Sequence, residues 1–205
     1  MEQTLKATAL VCTLSPSPKK SSSELLASEV LAELQKHGVE GQSFRVVDYN
    51  VKFGVTTDMG DGDEWPALRQ AILESDILFI ATPIWMGQPS AVNKMVLERL
   101  DAELSETDDE GRPSMYGKVA AVAIVGNEDG AHHTSAEIFQ ALSDVGFTIP
   151  AGGPTYWVGE AMGSTDYQDL DEKPKKTTET TKTLAANAVH LARLLKVQNY
   201  PVNQA

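Results

Sequence analysis

The sequence predicts an α/β fold in which helices cover both faces of a doubly wound parallel sheet. Short, almost continuously apolar runs alternate along the chain with longer segments whose apolar residues recur at helical spacing. Such runs are typical of strands that are buried on both faces, as parallel strands are. The alternation of strand and helix favours the same architecture, because each strand returns to the same edge of the sheet through a helix.

Before residue 75, the chain is predicted to hold two strands and two helices. Residues 7–13 form a strand, and a capping box at Ser21 and Glu24 then begins a helix that ends near Gly38. A strand at 44–49, a glycine-rich loop at 50–62 and a helix at 65–74 with a proline in its first turn complete this part.

The stretch around which the fold is organised covers residues 75–101. The unbroken apolar run 77–81 predicts the central strand, which should end at Pro83 because proline cannot donate to a sheet ladder. A helix should begin near Ser90, with an apolar face formed by Val92, Met95, Val96 and Leu100. The loop 84–88 then lies at the carboxyl end of a parallel strand, where open α/β sheets bind ligands.

After residue 101, the chain is predicted to hold two more strands and two more helices. The polar segment 103–117 should be exposed. The predicted elements that follow are a strand at 119–125, a helix at 131–145, a short strand at 147–149, a long irregular segment at 151–174 and a helix at 180–196. The five strands fit the flavodoxin-like order 2-1-3-4-5, within one domain that spans 1–205. With the strands numbered in chain order, the loops after the first, third and fourth strands then meet at one edge of the sheet.

Composition limits the classes of function. The 205 residues suffice for one domain with a substantial core, and the net charge of −12 argues against binding to nucleic acid or to an anionic membrane. No stretch has the length of a membrane span, and the N-terminus lacks a signal-peptide pattern. The single cysteine, Cys12, excludes an intrachain disulfide and any multi-cysteine metal site. These features predict a cytoplasmic protein.

The loop at residues 15–23, called the serine loop below, suits a phosphate group. Its hydroxyls and the free amides of the next helix start converge, and the helix dipole favours an anion there. Lys19 and Lys20 add positive charge. The alternative is a capped, solvated helix start. The chain has neither a nucleoside-triphosphate P-loop motif nor a dinucleotide-binding glycine motif at this loop.

The other two loops suit a flat ring. Residues 83–87 offer Trp85 for stacking and Gly87 for close approach of the backbone, although Trp85 and Met86 are equally consistent with ordinary packing. Residues 126–133 offer amides for the polar edge of a ring, while Asp129 and the following glycine favour a simple turn. The adjacent histidines at 132 and 133 point in different directions on a helix, so they give weak support to a metal pair.

Four stretches together resemble the NADPH-dependent FMN reductase family of the flavodoxin-like superfamily, which includes the NAD(P)H:quinone reductases. They are SPSPKKSSSELL, ATPIWMGQPSAVNKMVLERLD, VGNEDGAHH and GFTIPAGGPTYWVGEAMG, and the resemblance covers residues 7–195. Its most specific part is the P-x-x-x-G loop at residues 83–87 with the helix that follows. The serine loop lacks the glycine that is common in flavodoxins and in many reductases. The branch of the family with a 4Fe–4S cluster is excluded, since the chain has one cysteine.

The resemblance implies that FMN is bound non-covalently at the three loops. The phosphate would contact Ser15, Ser17, Ser21, Ser22 and Ser23, and the isoalloxazine ring would lie along Pro83, Ile84, Trp85, Met86 and Gly87. Asn127, Glu128, Asp129 and Gly130 would close the other side. No metal and no catalytic side chain are expected, because the flavin performs the chemistry.

The predicted function is an FMN-dependent NAD(P)H oxidoreductase that passes a hydride from NAD(P)H through FMN to a quinone, a flavin or a similar small acceptor. A flavodoxin-type electron carrier without NAD(P)H activity is the main alternative, and a flavin-free interaction module is another. A phospho-acceptor receiver domain of the same fold is excluded, because Thr13 and Pro83 stand where acidic residues would be required.

The segment 151–174 also predicts a homodimer or homotetramer. It is too long for an ordinary connection, and Tyr156, Trp157, Met162 and Tyr167 argue against disorder. A second subunit would bury the aromatic side chains that one monomer cannot, and the resembling reductases commonly form dimers or tetramers. The alternative is a lid that folds over its own sheet.

Overall fold

A computed structural model describes residues 4–202 of the chain as alternating strands and helices. The strands are β1 (Leu5–Val11), β2 (Val39–Arg45), β3 (Ile77–Trp85), β4 (Gln88–Pro89), β5 (Val119–Gly126) and β6 (Pro154–Val158). The α-helices are α1 (Ser22–Lys36), α2 (Trp65–Leu73), α3 (Ala91–Leu100), α4 (Ala131–Asp144) and α5 (Lys175–Val197). Short 3₁₀ turns lie at Val46–Asp48, Asp101–Ser105 and Tyr167–Asp169.

The sheet is parallel and doubly wound, as the sequence predicts. Its strands lie in the order β2-β1-β3-β5-β6, and the two-residue β4 pairs antiparallel with the end of β3. The predicted five-stranded order 2-1-3-4-5 is therefore confirmed only in part. The extra hairpin strand raises the number of strands to six and shifts the numbering of the last two parallel strands.

Two apolar layers hold the helices on opposite faces of the sheet. In β3, Phe79 faces a cluster that includes Leu26 of α1 and Leu184 of α5. Its neighbour Ile80 faces a second cluster, to which α2, α3 and α4 contribute. Because successive strand side chains alternate between faces, a continuous apolar run serves both layers at once. Within residues 4–202, no helix is both long and apolar enough to cross a membrane.

The central strand is longer than predicted, because β3 passes through Pro83 and ends at Trp85. The Cys12 N–H donates to the Ala81 carbonyl at 2.7 Å, so the backbone groups of Ala81 face β1. Residue 83 faces the same side by alternation, at a level where β1 has already ended. Beyond the end of β1, the Cys12 carbonyl accepts from Ser90 Oγ at 2.6 Å, so it does not depend on an N–H from β3. On its other side, β3 stays paired with β5 as far as Pro83.

The positions predicted for the two edge strands of the sheet are wrong. The strand predicted at 44–49 is β2 at Val39–Arg45, and the strand predicted at 147–149 is β6 at Pro154–Val158. At the earlier position only Thr148 makes a bridge to β5. Most of β2 is exposed, so it has no apolar run to reveal it. In β6, the buried Thr155 hydroxyl lies 2.9 Å from the Thr181 hydroxyl of α5. Helix α5 begins five residues before its predicted start at residue 180.

The segment 103–117 is not uniformly exposed, since Glu103 and Met115 are completely buried. The Glu103 carboxylate accepts hydrogen bonds from Arg69 Nε at 2.5 Å and from Ser114 Oγ at 2.6 Å. A buried carboxylate requires such partners, and the partner arginine lies more than thirty residues earlier in the chain. Polar composition alone therefore gave the wrong expectation for this segment.

A buried ion pair fixes the loop between β2 and α2. The side chains of Asp63 and Arg99 are both fully buried, and Arg99 Nη1 donates to Asp63 Oδ2 at 2.8 Å. The same guanidinium donates to the carbonyls of Lys52 and Thr56, so α3 holds the loop at two further points. Asp63 also accepts from the backbone N–H of Met59 at 2.9 Å.

Candidate functional site

A cavity of about 510 Å³ lies at the carboxyl edge of the sheet, where the loops after β1, β3 and β5 meet. Its lining residues are 13–15, 19–23, 83–85, 125–128, 157, 162–163 and 166–168. The three loops that the sequence singled out therefore lie together, as expected for the switch point of a doubly wound sheet. The segment after β6 supplies a fourth wall.

The structure divides the predicted site residues into two groups. Those that line the cavity are Ser15, Ser21, Ser22, Ser23, Pro83, Ile84, Trp85, Asn127 and Glu128. Those that lie outside its lining are Ser17, Met86, Gly87, Asp129 and Gly130. Contacts described below for the serine loop and the hairpin account for the positions of Ser17, Met86, Gly87 and Gly130, whereas Asp129 is exposed.

The serine loop ends in a capped helix start that presents free amides. Ser21 Oγ accepts from the Glu24 N–H at 3.3 Å and caps α1. Among residues 4–202, the N–H groups of Ser22 and Ser23 have no hydrogen-bond partner. Free amides and the positive end of the helix dipole make this end of the cavity favourable for an anion. Lys19 and Lys20 line the same end.

Ser17 faces away from the cavity. Its N–H and its hydroxyl both donate to the Asp48 carboxylate, at 2.8 Å and 2.6 Å. The hydrogen bonds from Ser17 hold the pKa of Asp48 below its ordinary value. Ser17 therefore anchors the loop from behind, a role that its residue type could not reveal.

The loop after β3 is a tight β-hairpin. Trp85 pairs with Gln88, and the two residues between them, Met86 and Gly87, have φ angles of 55° and 73°. Positive φ at both positions is the requirement of a type I′ turn, which favours glycine there. Glu128 Oε1 accepts from the Met86 N–H at 2.8 Å and holds the tip against the loop after β5.

The close backbone approach at Gly87 is to another loop. A Cβ atom added to Gly130 would lie 3.0 Å from Gly87 Cα and 3.0 Å from Gly87 O. Gly130 itself has a φ of 119° at the start of α4. The two glycines therefore allow the hairpin and the loop after β5 to touch. A Cβ on Gly87 would meet no atom of residues 4–202 within 4 Å.

The fourth wall is a segment at residues 159–170, called the strap below, which Asn127 ties to the end of β5. The Asn127 carbonyl accepts from the Met162 N–H at 3.0 Å. Its side-chain Nδ2 donates to the Gly163 carbonyl at 3.3 Å and to Asp166 Oδ1 at 3.0 Å. Asn127 Oδ1 is buried and has no partner within residues 4–202.

Aromatic side chains of the strap region pack inside the monomer. The rings of Trp157 and Tyr167 lie 5.6 Å apart between centroids, and Tyr167 is only 4% exposed. Burial, and then the hydrogen bond to Glu29, raise the pKa of Tyr167, whose hydroxyl donates to Glu29 Oε2 at 2.5 Å. The monomer alone therefore buries Tyr167, whereas Met162 stays 95% exposed. The sequence pattern singles out Trp157 and Tyr167 but does not indicate that they line the cavity.

The strap also reaches the serine loop. The Gln168 N–H donates to Ser22 Oγ at 3.2 Å, so the strap and the start of α1 share one hydroxyl. Gln168 Oε1 is a buried acceptor without a partner in the described part of the chain. Two unpaired acceptors therefore belong to residues that line the cavity.

The histidines and the cysteine lie outside the cavity. His132 Nε2 lies 3.0 Å from the Tyr156 hydroxyl, and His133 Nε2 lies 3.2 Å from Glu137 Oε1. The two imidazoles thus have separate partners, which fits the weak support for a metal pair. Cys12 is completely buried, and burial raises the pKa of its thiol, so it is a core residue.

The family model described as NADPH-dependent FMN reductase matches residues 6–163. The chain is 34% identical over 199 residues to MntH, a divalent metal cation transporter of Mycobacterium bovis, and that match covers 94% of this chain but only 29% of the transporter. It is 32% identical over 206 residues to 8-demethyl-8-aminoriboflavin-5′-phosphate synthase of Streptomyces davaonensis, covering 96% and 80% of the two chains.

Two solved structures are also similar to this chain. The crystal structure of RosB with bound 8-demethyl-8-formylriboflavin-5′-phosphate superposes with a TM-score of 0.86 at 32% identity, over 96% of this chain and 82% of that one. The apo form of the NADH:FMN oxidoreductase EMOB superposes with a TM-score of 0.61 at 19% identity, over 93% and 89%. The second likeness shows the flavodoxin-like α/β fold alone.

Proposed function

The chain belongs to the NADPH-dependent FMN reductase family, and we propose that it binds FMN non-covalently and acts as an NAD(P)H oxidoreductase on a quinone, a flavin or a similar small acceptor. The observation that carries the proposal is the cavity at the switch point, which has free helix amides and two lysines at one end and aromatic side chains at the other. Bound FMN would take up a hydride from NAD(P)H and pass the electrons on, so the redox chemistry belongs to the cofactor. The protein supplies binding and orientation.

The phosphate end fits a flavin phosphate. The free amides of Ser22 and Ser23 lie at the start of a 15-residue helix, and both residues line the cavity. Hydroxyls of the serine loop add donors, and Lys19 and Lys20 supply positive charge beside them. A dianionic phosphate has acceptors only, so a wall of donors with no carboxylate among residues 19–23 is the matching chemistry.

The ring end fits a flat heteroaromatic group with polar edges. Trp157 and the strand residues 83–85 supply apolar surface for its faces. The unpaired acceptors Asn127 Oδ1 and Gln168 Oε1 require donors, which the ring N–H and the ribityl hydroxyls of a flavin can provide. The protein known as RosB holds a flavin 5′-phosphate, and its 32% identity over almost all of this chain supports the same kind of ligand here.

The carboxylates of the cavity have positioning roles. Glu128 accepts from the Met86 N–H, and Asp166 accepts from the Asn127 side chain. Neither is needed as a proton donor or acceptor for transfer of a hydride, so we propose no catalytic side chain. The residues instead hold the hairpin and the strap at their places around the flavin.

The test is a spectrum of the purified protein with FMN, recorded anaerobically before and after addition of NADPH and, separately, NADH. We expect quenched flavin fluorescence on binding and loss of the oxidised flavin absorbance with at least one nucleotide. Binding without bleaching by either nucleotide would favour the electron-carrier alternative. No binding at high micromolar FMN would overturn the proposal and favour the flavin-free module.

A second candidate is an enzyme that modifies a flavin phosphate as its substrate. The 32% identity with the aminoriboflavin-phosphate synthase over 96% of this chain favours it. Mass spectrometry of the flavin recovered after incubation separates the two roles. An unchanged FMN mass with continued NAD(P)H oxidation fits a cofactor, whereas an altered mass fits a substrate.

We also propose that the chain forms a homodimer or homotetramer. Three apolar side chains of the hairpin and the strap are exposed: Trp85 by 55%, Met86 by 91% and Met162 by 95%. Grouped apolar exposure of this kind is typical of an interface. Light scattering at micromolar concentration should give an oligomer mass, and Met162→Ser should shift it towards the monomer. A monomer mass for the unaltered protein would refute the proposal.

A further inference from the structure

The end of β2 holds the serine loop in place although neither of the residues concerned lines the cavity. Arg45 is the last residue of β2, and only 6% of it is exposed. Its Nη1 donates to the Ser15 carbonyl at 3.2 Å and to the Lys19 carbonyl at 2.7 Å. A single guanidinium thus joins the two arms of the loop.

Asp48, three residues later, holds the middle of the same loop. It accepts the N–H and the hydroxyl of Ser17, which lies between the two carbonyls bound by Arg45. The loop is therefore fixed at residues 15 and 19 from the end of β2 and at residue 17 from the 3₁₀ turn that follows β2. Its conformation depends on a strand that is adjacent in the sheet but about thirty residues distant in sequence.

This arrangement decides which groups of the loop remain available to an anion. Carbonyl oxygens directed at a phosphate would repel it, and Arg45 engages two of them from behind. Arg45 also binds the Glu24 carboxylate, through Nε at 3.2 Å and through a second contact from Nη2. Glu24 lies in the first turn of α1, so without this partner its charge would oppose an anion at the helix start.

We infer that Arg45 and Asp48 are positioning residues that give the cavity its preference for a flavin phosphate over an unphosphorylated flavin. The inference rests on the proposed FMN site. Both residues act through others: Arg45 through the loop carbonyls and Glu24, and Asp48 through Ser17. The chemical class they select is a phosphomonoester, because riboflavin and FMN share every group except the phosphate.

Arg45→Lys separates position from charge. Lysine keeps the positive charge but lacks the planar fork that binds two carbonyls and a carboxylate together. Dissociation constants for FMN and for riboflavin are measured by fluorescence quenching in the unaltered protein, in Arg45→Lys and in Asp48→Ala. We expect the preference for FMN over riboflavin to fall at least tenfold in each variant, while riboflavin affinity changes by less than about threefold.

Arg69→Lys is the matched control. Arg69 is likewise an arginine with little exposure that binds carboxylates, those of Glu103 and Glu106, but it makes no contact with the serine loop within residues 4–202. We expect Arg69→Lys and Arg45→Lys both to lower the midpoint of thermal unfolding. Arg69→Lys should leave the preference for FMN over riboflavin unchanged. A purely structural effect would move both flavins equally and would appear in the control as well.

The results that overturn the inference differ from those that overturn the FMN site. An unchanged preference in Arg45→Lys, with riboflavin still bound, would show that charge and not position matters. Equal loss of both flavins would show that Arg45 and Asp48 act only through folding of the loop. If the unaltered protein bound neither flavin, the proposed function would be wrong and the inference with it.

Discussion

Gly130→Ala tests whether contact between two loops shapes the cavity. Gly130 precedes α4 with a φ of 119°, a backbone conformation that residues with a side chain rarely adopt. Its added Cβ would lie 3.0 Å from both the Cα and the carbonyl oxygen of Gly87. Both are backbone atoms of the hairpin, so rotation of a side chain cannot relieve the contact.

The expected magnitude combines two costs. Carbon atoms pack best at about 3.5–4.0 Å, so the Gly87 backbone must retreat by roughly 0.5 Å or more. A strained backbone conformation costs about 1–3 kcal/mol by itself. We expect the free energy of unfolding to fall by about 2–4 kcal/mol, within the range of disruptive single substitutions. The hairpin carries Trp85 at the cavity wall, so FMN affinity should fall by about tenfold, or about 1.4 kcal/mol.

Gly111→Ala isolates the contact from the backbone strain. Gly111 has a φ of 79°, and a Cβ there would meet no atom of the described part of the chain within 4 Å. It should therefore show only the conformational cost and leave FMN affinity unchanged. Urea unfolding and FMN titration of both variants provide the comparison. Equal destabilisation of the two variants, with wild-type FMN affinity in Gly130→Ala, would refute the idea that this contact positions the hairpin.

Three further predictions concern the buried groups and the turn. Asp63→Asn leaves the buried Arg99 charge without its counter-charge, so urea unfolding at pH 7 should show a loss of about 3–5 kcal/mol. In the unaltered protein, burial opposes ionisation of Asp63, but hydrogen bonds from the backbone and Arg99 outweigh it and lower its pKa to about 2. The stabilisation from Asp63 is therefore complete above pH about 4 and lost as pH falls towards 2, and thermal scans should show a weaker acid dependence in Asp63→Asn. Burial raises the pKa of Cys12, so a thiol reagent at pH 8 should label it only after unfolding; rapid labelling of the folded protein would contradict this. Gly87→Asn should keep the type I′ turn, whereas Gly87→Val should be about 1 kcal/mol or more less stable, because a β-branched residue disfavours positive φ; equal thermal stability of the two variants would count against the turn assignment.

The sequence predicted the sheet best where both faces are buried. The apolar runs of β1, β3 and β5 were each located to within a few residues, because burial on two faces requires apolar residues without interruption. The edge strands β2 and β6 carry exposed or hydroxyl-bearing positions, so their patterns gave no such run. Their pairing depends on neighbours that are distant in sequence, which local periodicity does not contain.

The site was predictable as a place and less so as a set of contacts. The order of elements determines which loops meet at the carboxyl edge, and that order can be read from the chain. The direction of each side chain depends on tertiary partners. Asp48 turns Ser17 away from the cavity, and Glu29 receives the hydroxyl of Tyr167 from more than a hundred residues away. No local signal marks either partner.

The direction of their hydrogen bonds distinguishes serines that were all predicted to contact the phosphate. A hydroxyl has one donor and two acceptor positions. The Ser17 hydroxyl donates its hydrogen bond to Asp48, so it cannot donate to an anion as well. Ser21 and Ser22 instead accept from the N–H groups of Glu24 and Gln168, which fixes their oxygens and leaves their protons free to donate. The proposed phosphate contacts therefore rest on Ser21, Ser22 and the free amides of α1. Ser22 Oγ also accepts from the Gln168 N–H of the strap. A phosphate bound to the Ser22 hydroxyl, as proposed, would therefore contact a group that is joined directly to the strap.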